Sequence, residues 1–129
     1  MRQDFPYLQK GKQFFPVVDI ELMPGKKSLT VKALVDSGAS FSIFRIEIAE
    51  YLGVEIEKGE LIPLEGIGGR ILGYMHKIPV KILDKTFPCK FVFSREFTVS
   101  FNLLGRDNFF SPFTISFTEK LQKVTVESL

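Results

Sequence analysis

The sequence predicts a mainly β fold. Three observations carry the prediction: a hydrophobic period of two, turn residues spaced between the periodic runs, and phenylalanine at alternate positions. Phenylalanine is frequent, 14 of 129 residues, and tryptophan is absent. Aromatic residues on every second position fit the half-buried face of a sheet. Alternating βαβ units are missing, which excludes a dinucleotide-type parallel sheet. Short strands with frequent turns point instead to a barrel or a sandwich.

Each element follows from its own pattern. Leu29, Val31, Ala33 and Val35 alternate with Thr30, Lys32 and Leu34. Phe87, Cys89, Phe91 and Phe93 form a second run, Phe97, Val99 and Phe101 a third, and Phe113, Ile115 and Phe117 a fourth. Strict alternation of this kind predicts strands. Pro24-Gly25, Lys58-Gly59 and Asp84-Lys85 supply turns. One segment, Arg45 to Leu52, reads as helix: Phe44, Ile48 and Leu52 recur every four residues and Gly53 stands where a left-handed cap falls. A single helical turn is expected over Arg106 to Phe110. Residues 1–13 are the least patterned, and are expected to be a loose arm or an added interface strand. The length, 129 residues, predicts one domain over 1–129.

Composition excludes several classes. Seventeen basic residues against 15 acidic ones give a formal charge of +2, with no clustered patch for nucleic acid or an anionic membrane. No apolar run approaches the ~20 residues of a membrane span. The N-terminal stretch breaks its apolar residues with charges and does not read as a secretory signal. The single cysteine, Cys89, allows no internal disulfide and no cysteine-rich zinc site, and fits a reducing, cytoplasmic setting. No metal and no cofactor are expected. His76, the only histidine, has no second ligand or triad partner in sight and reads as structural or surface; Cys89, alternating with phenylalanines, reads as a small core residue.

Three segments carry chemistry. In Ala33-Leu34-Val35-Asp36-Ser37-Gly38-Ala39 an apolar strand ends in an aspartate followed by small residues. This reads either as an Asx-type turn or as a catalytic carboxylate that a substrate backbone can approach closely. Amide hydrolysis by carboxylates needs two of them, one taking a proton from water and one giving a proton to the carbonyl. Two acids that close cannot both be ionised. None of Asp4, Asp19, Asp84 and Asp107 is followed by Ser-Gly or Thr-Gly, so the partner of Asp36 would be its own copy across a two-fold axis. In Glu65-Gly66-Ile67-Gly68-Gly69-Arg70 three glycines lie within four residues, between apolar arms (Leu61, Ile62, Leu64 and Ile71, Leu72, Tyr74). This predicts a long hairpin, structural or ligand-covering. A nucleotide loop would have to open a helix, whereas Ile71 to Leu83 reads as strand. The third segment, Asn102-Leu103-Leu104-Gly105-Arg106-Asp107, is an apolar strand running into a polar turn.

Together, in this order and spacing over roughly residues 17–117, the three segments resemble the retropepsins, the single-domain aspartic proteases of retroviruses and their cellular relatives. That resemblance implies a closed, barrel-like β fold, an obligate homodimer with half of the active site on each chain, and an extended peptide or unfolded protein as substrate. It implies Asp36 as the catalytic residue, supported by Ser37, Gly38 and Ala39. A flap over the substrate would be formed by Gly66, Ile67, Gly68 and Gly69. Leu103, Leu104, Gly105 and Arg106 would pass behind the active-site loop. The proton-sharing dyad of these enzymes is itself the standard instance of the split described above. Many retroviral members carry an acid after the alanine, where Ser40 stands here. Their termini form the dimer sheet, a role that Thr118 to Leu129 would fill through Val124 and Val126. The rival reading is a dimeric peptide-binding or scaffolding module with the fold but not the chemistry.

Overall fold

The structure, a computed structural model, describes residues 1–66 and 69–129. Its strands, in chain order, are β1 (Arg2–Pro6), β2 (Leu8–Lys10), β3 (Gln13–Phe15), β4 (Val17–Leu22), β5 (Leu29–Val35), β6 (Ser42–Phe44), β7 (Glu60–Gly66), β8 (Gly69–Ile82), β9 (Lys85–Phe93), β10 (Asn102–Leu104), β11 (Phe113–Thr118) and β12 (Lys123–Ser128). One α-helix, α1 (Ile46–Leu52), follows β6. The expected mainly β class holds.

The largest sheet runs β4-β5-β10-β6-β9-β8-β7, and β4 also pairs with β8 through Glu21↔Lys81 and Leu22↔Val80. Six strands therefore form a ring, with β7 attached outside it on β8. Alternation explains the packing. Val18, Ile20 and Leu22 of β4 are buried while Asp19 between them is exposed. Cys89, Phe91 and Phe93 of β9 are buried, and the Phe91 ring lies 4.6 Å from that of Phe44. Each large side chain so buried contributes roughly 1.5–3 kcal/mol of transfer free energy. Prolines fall where the ladder needs no donor. Pro79 faces Pro88, and Pro63 on outermost β7 faces Leu72.

Helix α1 begins after Arg45, which offers no side-chain cap, and ends at Gly53 with φ 74°. The Gly53 N–H closes on the Glu50 carbonyl, as a left-handed glycine cap should. Ala49 and Leu52 face the core.

Four expectations change. The Phe97–Phe101 run is a loop, not a strand; Phe101 leaves the sheet to pack on Phe15, 4.8 Å between ring centres. Residues 106–110 make one turn closed by Phe110 N–H to the Arg106 carbonyl, and Asn108 at φ 71° stops it becoming a helix. Of the first thirteen residues, Arg2–Pro6 is no loose arm but pairs with β12 of the same chain, while β2 and β3 form a small hairpin around Gly11. Finally, β12 is the middle strand of a sheet β1-β12-β11, and Val124 and Val126 are fully buried in the chain's own core. Neither residue is available to a partner.

Candidate active site

β5 delivers Asp36. Its apolar residues Ala33 and Val35 are buried, and the strand stops where Val35 N–H reaches the Pro16 carbonyl. The loop that follows is held from behind by β10, which runs parallel to β5 with Leu104 beside Val35. Asp36 N–H donates to the Leu104 carbonyl at 2.9 Å, and Ala39 N–H to the Asp36 carbonyl at 3.2 Å. Gly38 N–H donates to Asp36 Oδ1 at 3.0 Å, fixing the carboxylate from within its own turn. Asp36 is half-buried, while Ser37 and Gly38 are exposed.

Behind this loop the chain crosses itself at close quarters. Arg106 N–H donates to the Ala39 carbonyl at 2.9 Å and Asp107 N–H to Ser40 at 2.8 Å. Gly105 N–H donates to the buried Ser42 hydroxyl at 3.0 Å. Leu103 lies opposite Ile43 of β6 and beside Leu34 of β5. Among the described residues no carboxylate forms an ion pair with Arg106, in keeping with Ser40 standing where an acid would otherwise pair with it.

Two residues given no role of their own by the sequence hold this crossing together. Ser42 is one. The other is Asn102, at the head of the third segment, whose side-chain Nδ2 donates to the Lys32 carbonyl at 3.1 Å while Oδ1 accepts from Arg45 N–H at 2.9 Å. It joins β5, β10 and the start of α1. A polar residue heading an otherwise apolar strand was the available signal, since a buried amide must find partners.

The glycine segment forms the end of the β7–β8 hairpin, whose register runs from Glu60↔Met75 to Gly66↔Gly69. Ile67 and Gly68, also expected at the flap tip, lie outside the described residues. Gly66 and Gly69 line a cavity of about 400 Å³ with Ile43, Leu64, Ile71 and the loop residues Phe97 and Val99. Asp36 and Ser37 line a different one, also of about 400 Å³, with Phe15, Leu34 and Phe117. The first and third segments thus meet directly, while the hairpin glycines stand apart from Asp36 within one chain.

The other aspartates are engaged elsewhere. Asp4 accepts from Thr125 and Lys123, Asp19 from Lys32, and Asp84 from the Ser128 hydroxyl; Asp107 lies in the turn behind the loop. His76 places Nε2 at 2.8 Å from the Ile56 carbonyl, a structural contact. Burial pushes the Cys89 thiol up to about 12. Among the described residues no helix is long and apolar enough to cross a membrane.

Residues 21–107 match the family model described as aspartyl protease. The chain is 38% identical over 93 residues to DNA damage-inducible protein 1 of Neurospora crassa, covering 70% of this chain and 20% of that protein. It is 42% identical over 64 residues to the protein of the same name from Kluyveromyces lactis, covering 47% and 16%. It is 34% identical over 84 residues to the UBA domain-containing protein Mud1 of Schizosaccharomyces pombe, covering 63% and 24%. The match thus spans no more than 24% of these relatives' length. Among solved structures, a retropepsin-like aspartic protease from Rickettsia conorii superposes with a TM-score of 0.67 at 16% identity, covering 98% of this chain and 90% of that one. EIAV protease complexed with the inhibitor HBY-793 superposes with a TM-score of 0.58 at 15% identity, covering 77% and 88%.

Proposed function

The chain belongs to the aspartyl protease family, with a retropepsin-like fold, and from that premise we propose that it is an endopeptidase whose catalytic dyad is Asp36 and the same residue of a second copy. The observation that carries this reading is the solitary carboxylate: Asp36 is held by Gly38 and Leu104 at the surface, and no other aspartate of the described residues shares its cavity. A two-fold axis at the loop supplies the second acid.

In the proposed reaction a water lies between the two carboxylates, one ionised and one protonated. The ionised one takes a proton from the water as its oxygen bonds to the scissile carbonyl carbon. The protonated one gives its proton to the carbonyl oxygen, producing a neutral gem-diol. Collapse of the diol breaks the C–N bond, returns one hydroxyl proton to the carboxylate that had given its own, and draws the departing nitrogen's proton from the carboxyl that took it from water, so the dyad ends as it began. Ser37, Gly38 and Ala39 hold the loop. Leu103, Leu104, Gly105 and Arg106 brace it from behind, and the hairpin carrying Gly66 and Gly69 closes over the substrate. Ile43, Leu64, Ile71, Phe97 and Val99 would receive apolar side chains of an extended peptide.

The second copy would dock at the outer edge of β11. With β12 enclosed, β11 is the strand of that sheet that ends beside Asp36; Phe117 is 42% exposed there and lines the same cavity as Asp36 and Ser37. The lone buried thiol supports a reducing, cytoplasmic setting.

The test is to incubate wild type and Asp36→Asn with unfolded casein between about pH 4 and 7, measuring molecular mass in the same buffers. Cleavage by a wild-type dimer, reduced on the order of 10²–10⁴-fold in a folded mutant dimer, is the expected outcome. A folded wild-type dimer that cleaves neither casein nor a diverse peptide library would replace this reading with that of a peptide-binding module.

A further inference from the structure

The arm of the hairpin that leads to Gly69 is anchored by side chains rather than by a strand. β8 pairs with β9 as far as Tyr74↔Phe93, where β9 ends. Two residues further along β8, Leu72 directs its N–H and C=O to the side β9 has vacated. On the opposite side it faces Pro63, which has no N–H, as a non-hydrogen-bonded antiparallel pair permits. The backbone of Leu72 therefore has no ladder partner on either side.

Two side chains from the turn after β9 fill the gap. The Ser94 hydroxyl donates to the Leu72 carbonyl, and Glu96 Oε2 accepts from Leu72 N–H at 2.7 Å. Glu96 N–H in turn donates to Ser94 Oγ at 3.2 Å. The turn is itself fixed to the body: Arg95 grips Glu57 through Nε at 2.9 Å and Nη2 at 3.2 Å, and His76 holds the neighbouring Ile56 carbonyl. Gly73 is required beside this rung, because a Cβ there would sit 2.5 Å from Val92 Cγ1. Glu96 also lines the hairpin's cavity, whose two sides are Leu64 and Ile71 on the arms and Phe97 and Val99 on the loop.

We propose that Glu96 is a positioning residue for the flap. Its carboxylate acts through Leu72 to hold the β8 arm at a set distance from the loop wall, so the cleft's width is established before a peptide arrives. Losing this bond leaves the arm to be ordered by the substrate, which weakens binding more than it slows the step after binding. The catalytic part of this inference rests on the protease reading above; the anchoring part does not.

The experiment compares Glu96→Ala, Glu96→Gln and, at a residue that lines the same cavity but is not the acceptor of the Leu72 N–H, Glu65→Gln. Glu96 is exposed, so its truncation is compatible with folding. Amide exchange at Leu72, followed by NMR, should speed up about fivefold in Glu96→Ala. It should return close to wild type in Glu96→Gln, which keeps a carbonyl acceptor, and stay unchanged in Glu65→Gln. With casein, Glu96→Ala should raise KM by a similar factor with kcat nearly constant, and Glu96→Gln should restore it. Unchanged Leu72 exchange in Glu96→Ala overturns the proposal, as does a loss confined to kcat or an equal effect of Glu65→Gln. Absence of cleavage by wild type would remove the protease reading, and the exchange measurement alone would then decide the anchor.

Discussion

Gly105→Ala should be the most damaging single-methyl change near Asp36. Gly105 is buried where the chain crosses behind the Asp36 loop. A Cβ there would collide with the Phe41 carbonyl oxygen, and would stand 2.6 Å from the Phe41 carbonyl carbon and 2.9 Å from that of Ser40. All three are backbone atoms, so no side chain can swing aside. The 39–42 segment must move instead, against its bonds to Arg106, Asp107 and Gly105. Adding a methyl group to a packed interior costs typically 1–3 kcal/mol, and a collision with backbone belongs at the upper end, about 2–3 kcal/mol. With a urea m-value of roughly 1.5 kcal/mol/M for a chain of this size, the midpoint should fall by about 1.3–2 M. Urea titration followed by far-UV circular dichroism, at one fixed protein concentration, measures this. Gly25→Ala is the control, because a Cβ there meets nothing within 4 Å, and its midpoint should stay within about 0.3 M of wild type. If Gly105→Ala behaves like Gly25→Ala, the crossing is looser than its contacts imply and the rigidity assigned to the Asp36 loop is wrong.

Asp4 anchors β1 to β12, and the Thr125 hydroxyl followed by the Lys123 ammonium hold its carboxyl below the usual range. A carboxylate depressed on folding stabilises the fold above its unfolded value near ~4 and loses that contribution as pH falls through the lower folded value. The melting-temperature gap between wild type and Asp4→Asn should therefore be widest near neutrality and close below about pH 4; a gap constant from pH 7 to 2.5 would contradict the pairing. Cys89, with its thiol pushed up to about 12 by burial, should resist iodoacetamide at about pH 8 in the folded protein and react once unfolded. Equal rates in both states would refute its core position.

Much of this architecture was written in period-two patterns, and its failures share one cause. Alternation reports that one face of a segment is apolar, but not whether a neighbouring strand is free to pair with it. Phe87 to Phe93 has β8 and β6 beside it and becomes a strand. Phe97 to Phe101 has the same rhythm and, among the described residues, no strand partner; Phe101 packs on Phe15 and Val99 remains 46% exposed. The aspartate, the glycines and the Leu-Leu-Gly run were recognisable because each is local. Ser42, Asn102, Ser94 and Glu96 were not, because each acts on a backbone group at least 22 residues away. Val124 and Val126 misled for a related reason: their apolar faces were evident, but only the sheet order shows that their own chain consumes them.

The prolines bear on how many copies can join. A sheet's outer strand offers a row of unpaired donors and acceptors on which another strand can be templated without limit. Pro63 interrupts that row on β7, and β1 ends in Pro6 and carries charged Arg2 and Asp4. β11, by contrast, runs from Phe113 to Thr118 without a proline. Of these three outer strands β11 alone is uninterrupted, and pairing of that edge with its twin leaves only the interrupted β7 and β1 edges of these two sheets. On the dimer reading proposed above, a pair joined through β11 should resist further growth through these two sheets even when concentrated.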